Sequence, residues 1–423
     1  ALALLWLAVA APAAALGGAL EWTALDEAGR DAVGAGDLPG AVVLVGQDDR
    51  VLYRKAFGSR AVTPAVEPMT LETVFDIASL TKVVATTPAV LALWEQGKID
   101  LDAPLGRYLH EFAGPAFRSV TIRRILTHSA GFPDSPSPRA IPNGMPQAVP
   151  LLAREPLAYN PGTAFHYSDT GFILLGEVVR RVSGENLDQF ARRRFFAPLG
   201  MGATAFRPAE SWRPRIAPTE ALGGTMLRGV VHDGNARLLS GVAGHAGVFS
   251  TADDLARFCR MLLDGGTLAG HRYLKEATVR AMFEPRLIGE TTRGLGWDMA
   301  SAYSRALGSY FPVGSVGHTG FTGTSIWMDP PSRTYAIVLT NRVHPYGKGK
   351  VVDLRRRISA VVGALLFPPG DPPAAGPVLA EVSAPAADAA PAPNGPTRTG
   401  LDRLVAQGFA PLQGRSIGLV TNQ

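Results

Sequence analysis

Ser79 and Lys82 stand three residues apart in Phe75-Asp76-Ile77-Ala78-Ser79-Leu80-Thr81-Lys82, where an apolar run from Val74 to Ile77 reads as a strand entering a helix. Helical positions i and i+3 share a face, so the Lys82 amine can reach the Ser79 hydroxyl. An amine in that position can activate a hydroxyl, which is otherwise a weak nucleophile. By itself the string describes equally well a helix-capping serine followed by a solvated lysine. Two more polar clusters follow it: Tyr167-Ser168-Asp169 after the turn Asn160-Pro161-Gly162, and His318-Thr319-Gly320 between two strand-like runs. A hydroxyl, an amine, a phenol and an imidazole are the groups an acyl-transfer site assembles.

The elements that must position these groups are legible in outline. Ala41 to Val45 and Val51 to Phe57 flank Gln47-Asp48-Asp49-Arg50 and read as a hairpin. The Ser79 helix should run to about Trp94, with Pro88 kinking or splitting it. Val120 to Thr127 and Gly171 to Val182 show helical apolar spacing, and Ser250-Thr251-Ala252-Asp253-Asp254 opens another helix, each hydroxyl having an acid three residues on. Gly314 to Thr319, Thr324 to Met328 and Tyr335 to Thr340 read as strands before a last helix near Val352 to Leu365. The expected fold class is α+β: an antiparallel β-sheet built from both ends of the domain, flanked by helices, with an all-helical lobe beside it.

The order Ser-x-x-Lys, Tyr-x-Asp, His-Thr-Gly is the pattern of active-site serine penicillin-recognising enzymes. The chain resembles the serine β-lactamase-like superfamily, in the branch holding class C β-lactamases, D-alanyl-D-alanine carboxypeptidases, D-aminopeptidases, and related esterases and amidases. Ile99-Asp100-Leu101-Asp102-Ala103-Pro104, Ile125-Leu126-Thr127-His128-Ser129-Ala130-Gly131 and Gly244-His245-Ala246-Gly247-Val248-Phe249-Ser250-Thr251 also look like that branch's blocks, so the likeness covers about Pro39 to Leu366. It implies a β-lactamase/transpeptidase-like fold with Ser79, Lys82 and Tyr167 as catalytic residues. In this reading Lys82, desolvated near a helix N-terminus, has its amine pKa lowered to serve as base or proton relay. Tyr167 completes the relay with its phenol partly ionised between Lys82 and His318, and protonates the departing amine or alcohol. Which of Lys82 and Tyr167 is the kinetic base stays open. The backbone N–H groups of Ser79 and Phe321 would form the oxyanion hole by resemblance.

Two residues depart from the commonest pattern. His318 replaces a frequent Lys, so the site has a cation there only when the imidazole is protonated, which weakens a carboxylate anchor. Asp169 replaces a frequent Asn and can stabilise the Lys82 cation or bind a substrate ammonium or N–H. With Thr319, Gly320 and Phe321 they form the expected substrate-binding set, and His245, flanked by glycine, is added as a cleft residue. His128 is read as tying a loop by hydrogen bonds. No His-x-x-x-His pair occurs among the eight histidines, so no metal and no other cofactor is expected.

The 423 residues carry a formal charge of +5 with acids and bases interspersed, and no nucleic-acid signature. The balance permits loose attraction to an anionic wall or membrane surface; a monomer is expected. Residues 1–18 read as an incomplete secretory signal, with an uncleaved anchor as the alternative, which makes the protein secreted or periplasmic. Residues 19–366 would be the hydrolase domain and 367–397 a Pro/Ala-rich linker. Residues 398–423, with Thr399-Gly400-Leu401-Asp402-Arg403-Leu404 and Gly418-Leu419-Val420-Thr421-Asn422-Gln423, look like the truncated start of an exo-β-N-acetylmuramidase-like domain. The one cysteine, Cys259, excludes an intrachain disulfide and reads as a core thiol. The expected function is an exported serine hydrolase of wall peptides or muropeptides, of N-acetylmuramyl-L-alanine amidase or D,D-carboxypeptidase type. The alternatives are a β-lactamase, a promiscuous carboxylesterase, and a wall-binding module with a degenerate site.

Overall fold

The computed structural model describes residues 22–137, 140–141, 144–300 and 310–367. The expectations for 1–18, 368–397 and 398–423 lie outside the described residues. Among those described, no helix is long and apolar enough to cross a membrane.

Ala41 to Val45 is apolar without interruption because both faces of its strand are covered. Val42 and Leu44 point into the larger core; Ala41, Val43 and Val45 point into a second one with Leu25, Phe57, Trp327, Leu354 and Ile358. The strand belongs to a nine-stranded antiparallel sheet. Its order runs Arg286–Ile288, Thr291–Arg293, Asp298–Ala300, Val316–Thr319, Ser325–Asp329, Thr334–Thr340, Gly40–Gln47, Arg50–Ala61, Glu67–Pro68. Early and late strands thus meet, Val43 opposite Val338, as expected. The helices Thr23–Gly34 and Val352–Leu366 cover one face, and the helical lobe, including Thr87–Glu95 and Asp169–Ser183, the other. The first helix and the three strands between 286 and 300 were not read from the sequence.

Three local readings change. Pro88 does not split the helical stretch after Ser79: a π-helical turn, Lys82–Thr86, runs on into the α-helix Thr87–Glu95, and the Thr87 N–H reaches the Lys82 carbonyl. The wider turn accommodates a proline that has no N–H to give. At the Ala252–Leu263 helix only Thr251 caps, accepting from the Asp254 N–H. The Asp254 carboxylate turns away to Ala203 N–H and Thr204. Phe367, assigned to the linker, packs edge-on against Phe311 and belongs to the domain. Cys259 is buried, as expected, and burial raises its thiol pKa.

Candidate active site

Ser79 lies on a short 3-10 turn, Ala78–Leu80, directly after the two-residue strand Phe75–Asp76. Ala78 has φ +47°, a left-handed conformation that a non-glycine residue adopts only when its surroundings impose it. Several groups do so here. Asp76 accepts from the Ala78 N–H at 2.9 Å and the His232 N–H at 2.7 Å; Thr322 and Thr324 donate to the carbonyls of Asp76 and Ile77 at 2.7 and 3.0 Å. The turn holding the nucleophile is therefore tied to the loop that follows His318-Thr319. Gly320 is required in that loop, because a Cβ there would stand 2.2 Å from Thr324 Oγ1 and 2.5 Å from the Ile77 carbonyl.

Lys82 is fully buried, with Ser79 Oγ at 3.0 Å, the His245 carbonyl at 3.1 Å and Asp169 Oδ1 at 2.6 Å among its partners. Burial alone would push its amine pKa down, but the Asp169 carboxylate and Tyr167 outweigh burial and hold it above the ordinary lysine value. Lys82 is thus an ammonium at rest, which corrects the expectation of a lowered pKa. The Tyr167 hydroxyl hydrogen-bonds both Lys82 and Ser79, and dehydration raises its pKa more than the Lys82 charge lowers it. It is a neutral phenol at rest, not a partly ionised one.

Tyr167 and Asp169 are placed by the start of the Asp169–Ser183 helix, which Ser168 caps by accepting from the Gly171 N–H. His128 accepts from the Ser168 N–H through Nδ1 at 3.0 Å and its ring stacks on Tyr167 at 4.5 Å, so it ties the loop as expected and also seats the phenol. His318 is buried, and its Nδ1 donates to the Thr319 carbonyl at 2.8 Å, leaving Nε2 as an acceptor. Its ring lies 6.0 Å from that of Tyr167. Burial and the nearby Lys82 and Arg293 charges hold His318 well below the usual imidazole range, so it is neutral at neutral pH. Phe321 is exposed at the rim. The N–H groups of Ser79 and Phe321 donate to no acceptor among the described residues, as an oxyanion hole requires.

The beta-lactamase family model matches residues 25–360. The chain belongs to the beta-lactamase family. It is 31% identical over 344 residues, 72% of this chain and 79% of the relative, to an Escherichia coli O157:H7 protein carrying the provisional name D-alanyl-D-alanine carboxypeptidase. It is 30% identical over 347 residues, 73% of this chain and 78% of the relative, to the N-acetylmuramyl-L-alanine amidase of Bacillus subtilis strain 168. Among solved structures it resembles EstCE1, a hydrolase with promiscuous acyltransferase activity, at TM-score 0.66 and 24% identity over 81% of this chain and 98% of that one. A penicillin-binding protein homologue from Caulobacter crescentus matches at TM-score 0.66 and 22% identity over 81% of this chain and 97% of that one. Membership in the beta-lactamase family makes this a serine hydrolase.

Two supports of this beta-lactamase-family site were missed in the sequence. Asp76 is one; Asp233 is the other. Asp233 accepts from His245 Nε2 at 2.8 Å and caps the helix Gly234–Leu238. Burial would raise its pKa, but the His245 imidazole, the Ala236 N–H and the Lys82 charge hold it well below the usual carboxylate value. The His245 backbone carbonyl accepts from Lys82, and its buried ring bonds Asp233 beside the Asp169 carboxylate. Ligand atoms of Asp169, Asp233 and His245 lie within 4.8 Å of one another, close enough to hold a metal ion. The Lys82 ammonium pairs with the Asp169 of this cluster, and its charge also acts on Asp233. Asp233 carries only the signal of a helix cap, so nothing local in the sequence pointed to catalysis.

Proposed function

We propose that the protein is exported and hydrolyses an amide bond in wall peptides through an acyl-enzyme on Ser79, as a D,D-carboxypeptidase or N-acetylmuramyl-L-alanine amidase in peptidoglycan turnover. The observation that carries this reading is the Ser79–Lys82–Asp169 chain, with links of 3.0 and 2.6 Å. Ser79 Oγ attacks the carbonyl carbon while its proton passes to Lys82 Nζ and a Lys82 proton shifts to Asp169, so the lysine stays an ammonium. The oxyanion takes the two free N–H groups of Ser79 and Phe321. Tyr167, within reach of both Ser79 and Lys82, gives its proton to the leaving nitrogen and recovers one from Lys82. Water then cleaves the acyl-enzyme by the reverse relay. The names of the relatives support wall peptides as substrate, and the neutral His318 disfavours a penicillin carboxylate held at that position.

The test is incubation of the pure protein with muropeptides and analysis of products by mass spectrometry. Release of a terminal alanine identifies the carboxypeptidase, and separation of sugar from peptide the amidase. Unchanged muropeptides beside rapid cleavage of a short-chain nitrophenyl ester would overturn the wall reading in favour of a carboxylesterase.

A further inference from the structure

A buried ion pair beside the site takes no part in the proton relay. Arg293 ends the strand Thr291–Arg293, Asp298 opens the strand Asp298–Ala300, and the two stand opposite each other with Nη1 3.3 Å from Oδ1. Both side chains are buried. On its other side Asp298 is paired with Gly317, the residue before His318. Taking two charges out of water can cost as much as their attraction returns, and apolar residues of similar volume often serve a core as well. Stability alone therefore gives no reason for the pair, whereas its neighbours do.

From Arg293 a column of rings leads to the catalytic phenol. The guanidinium lies 4.7 Å from the centre of the Phe165 ring, Phe165 meets His128 edge-on at 6.1 Å, and His128 stacks on Tyr167 at 4.5 Å. A cation within about 6 Å of a ring centre is attracted to it, more strongly where water is excluded. His128 also carries the backbone on both sides of Tyr167: its carbonyl accepts from the His166 N–H at 2.9 Å and its Nδ1 from the Ser168 N–H at 3.0 Å. Burial and the Arg293 charge keep His128 neutral, the state in which Nδ1 can accept. The turn joining Arg293 to Asp298 is fastened to the segment that leads into His128, the Gly296 N–H donating to the Leu126 carbonyl at 2.8 Å.

We propose that Arg293 and Asp298 are positioning residues for Tyr167: through Phe165 and His128 they hold the phenol ring where its one hydroxyl reaches both Ser79 and Lys82. His318, whose ring lies 6.0 Å from that of Tyr167, sits on the strand that Asp298 pairs with, so one hairpin is joined to both histidines that neighbour the phenol. The activity expected of this device rests on the reading of Tyr167 as the acid for the leaving nitrogen.

The test removes both charges together, Arg293→Met with Asp298→Asn, so that no unpaired ion is left in the core. On an amide substrate kcat/KM should fall about 30-fold, as for a misaimed proton donor, and on the matched nitrophenyl ester less than about threefold. In a Tyr167→Phe background the same two changes should cost nothing further on the amide, because the group they aim is gone. Arg293→Lys alone, which keeps a cation over Phe165, should retain most of the amide activity. A readout independent of turnover is the fluorine resonance of Tyr167 in protein carrying fluorotyrosine, assigned by its loss in Tyr167→Phe: it should shift or broaden in the double variant at unchanged Tm. If the double variant does not fold, Phe165→Leu breaks the same column and faces the same readouts. Equal losses on amide and ester, losses that multiply with Tyr167→Phe, or an unmoved Tyr167 resonance would overturn the positioning role. If wild type cleaves no amide, or Tyr167→Phe loses amide and ester alike, it is the wall reading or the acid role that fails, and the resonance alone then decides whether Arg293 and Asp298 position the ring.

Discussion

Lys82 Nζ lies 2.6 Å from Asp169 Oδ1 in a site where the lysine has no exposure to solvent. The contact decides the resting charges of the centre: an ammonium and a carboxylate paired, with a neutral phenol beside them. The serine proton therefore needs a relay that moves an existing proton onward.

Asp169→Asn keeps the shape and removes the end of that relay. We expect kcat/KM to fall about 100-fold. Without the carboxylate, burial dominates the Lys82 amine and its pKa drops, so the residual activity should gain a titrating limb at lower pH than in wild type. A full pH–rate profile checks both, and an unchanged profile would remove Asp169 from the chemistry. Leaving a buried ammonium unpaired should also lower stability by about 3 kcal/mol in urea titration.

Tyr167→Phe should lower kcat about 1000-fold on amides, whose leaving nitrogen needs a proton, and less on nitrophenyl esters, whose leaving group does not. Steady-state assays on a matched amide and ester give the comparison. Equal losses on both would deny Tyr167 its role as the acid.

Gly320→Ala forces a Cβ against Thr324 Oγ1 and the Ile77 carbonyl and so displaces the Phe321 amide. Loss of one oxyanion donor predicts a fall in kcat of about 100- to 1000-fold, with KM less affected. Activity within a few-fold of wild type would show that the amide is not used.

His128 and His318 are both held neutral by burial, with folded pKa values well below 6.5. The unfolded chain takes up protons first as pH falls through 6.5, so the stability these residues contribute is full above that pH and lost below it. Each should cost about 1.4 kcal/mol per pH unit in that window. Urea titrations at pH 8 and pH 5 on wild type and His128→Asn isolate the effect: the variant should show the smaller loss. An equal loss would mean that His128 is not held neutral.

The reacting groups were legible because Ser79-x-x-Lys82, Tyr167 and His318-Thr319-Gly320 are local strings on recognisable elements. Five of the sheet's nine strands and the helical stretch after Ser79 were legible from apolar periodicity. What failed depends on distance in space. Lys82 was assigned a low pKa from burial and the helix N-terminus, since its separation from Asp169, 87 residues on, has no sequence signature. Asp233 looks like any helix cap, and the strands Arg286–Ile288, Thr291–Arg293 and Asp298–Ala300 are three residues long, too short to show a period of two.

The central claim is that Ser79 becomes acylated during turnover. Rapid-quench intact-mass measurement with a nitrophenyl ester and with a D-Ala-D-Ala peptide, followed by mapping of the modified segment, tests it directly. The account predicts one acyl group per chain, on the peptide containing Ser79 and absent from Ser79→Ala. An adduct on another residue, or turnover that persists in Ser79→Ala, would contradict it.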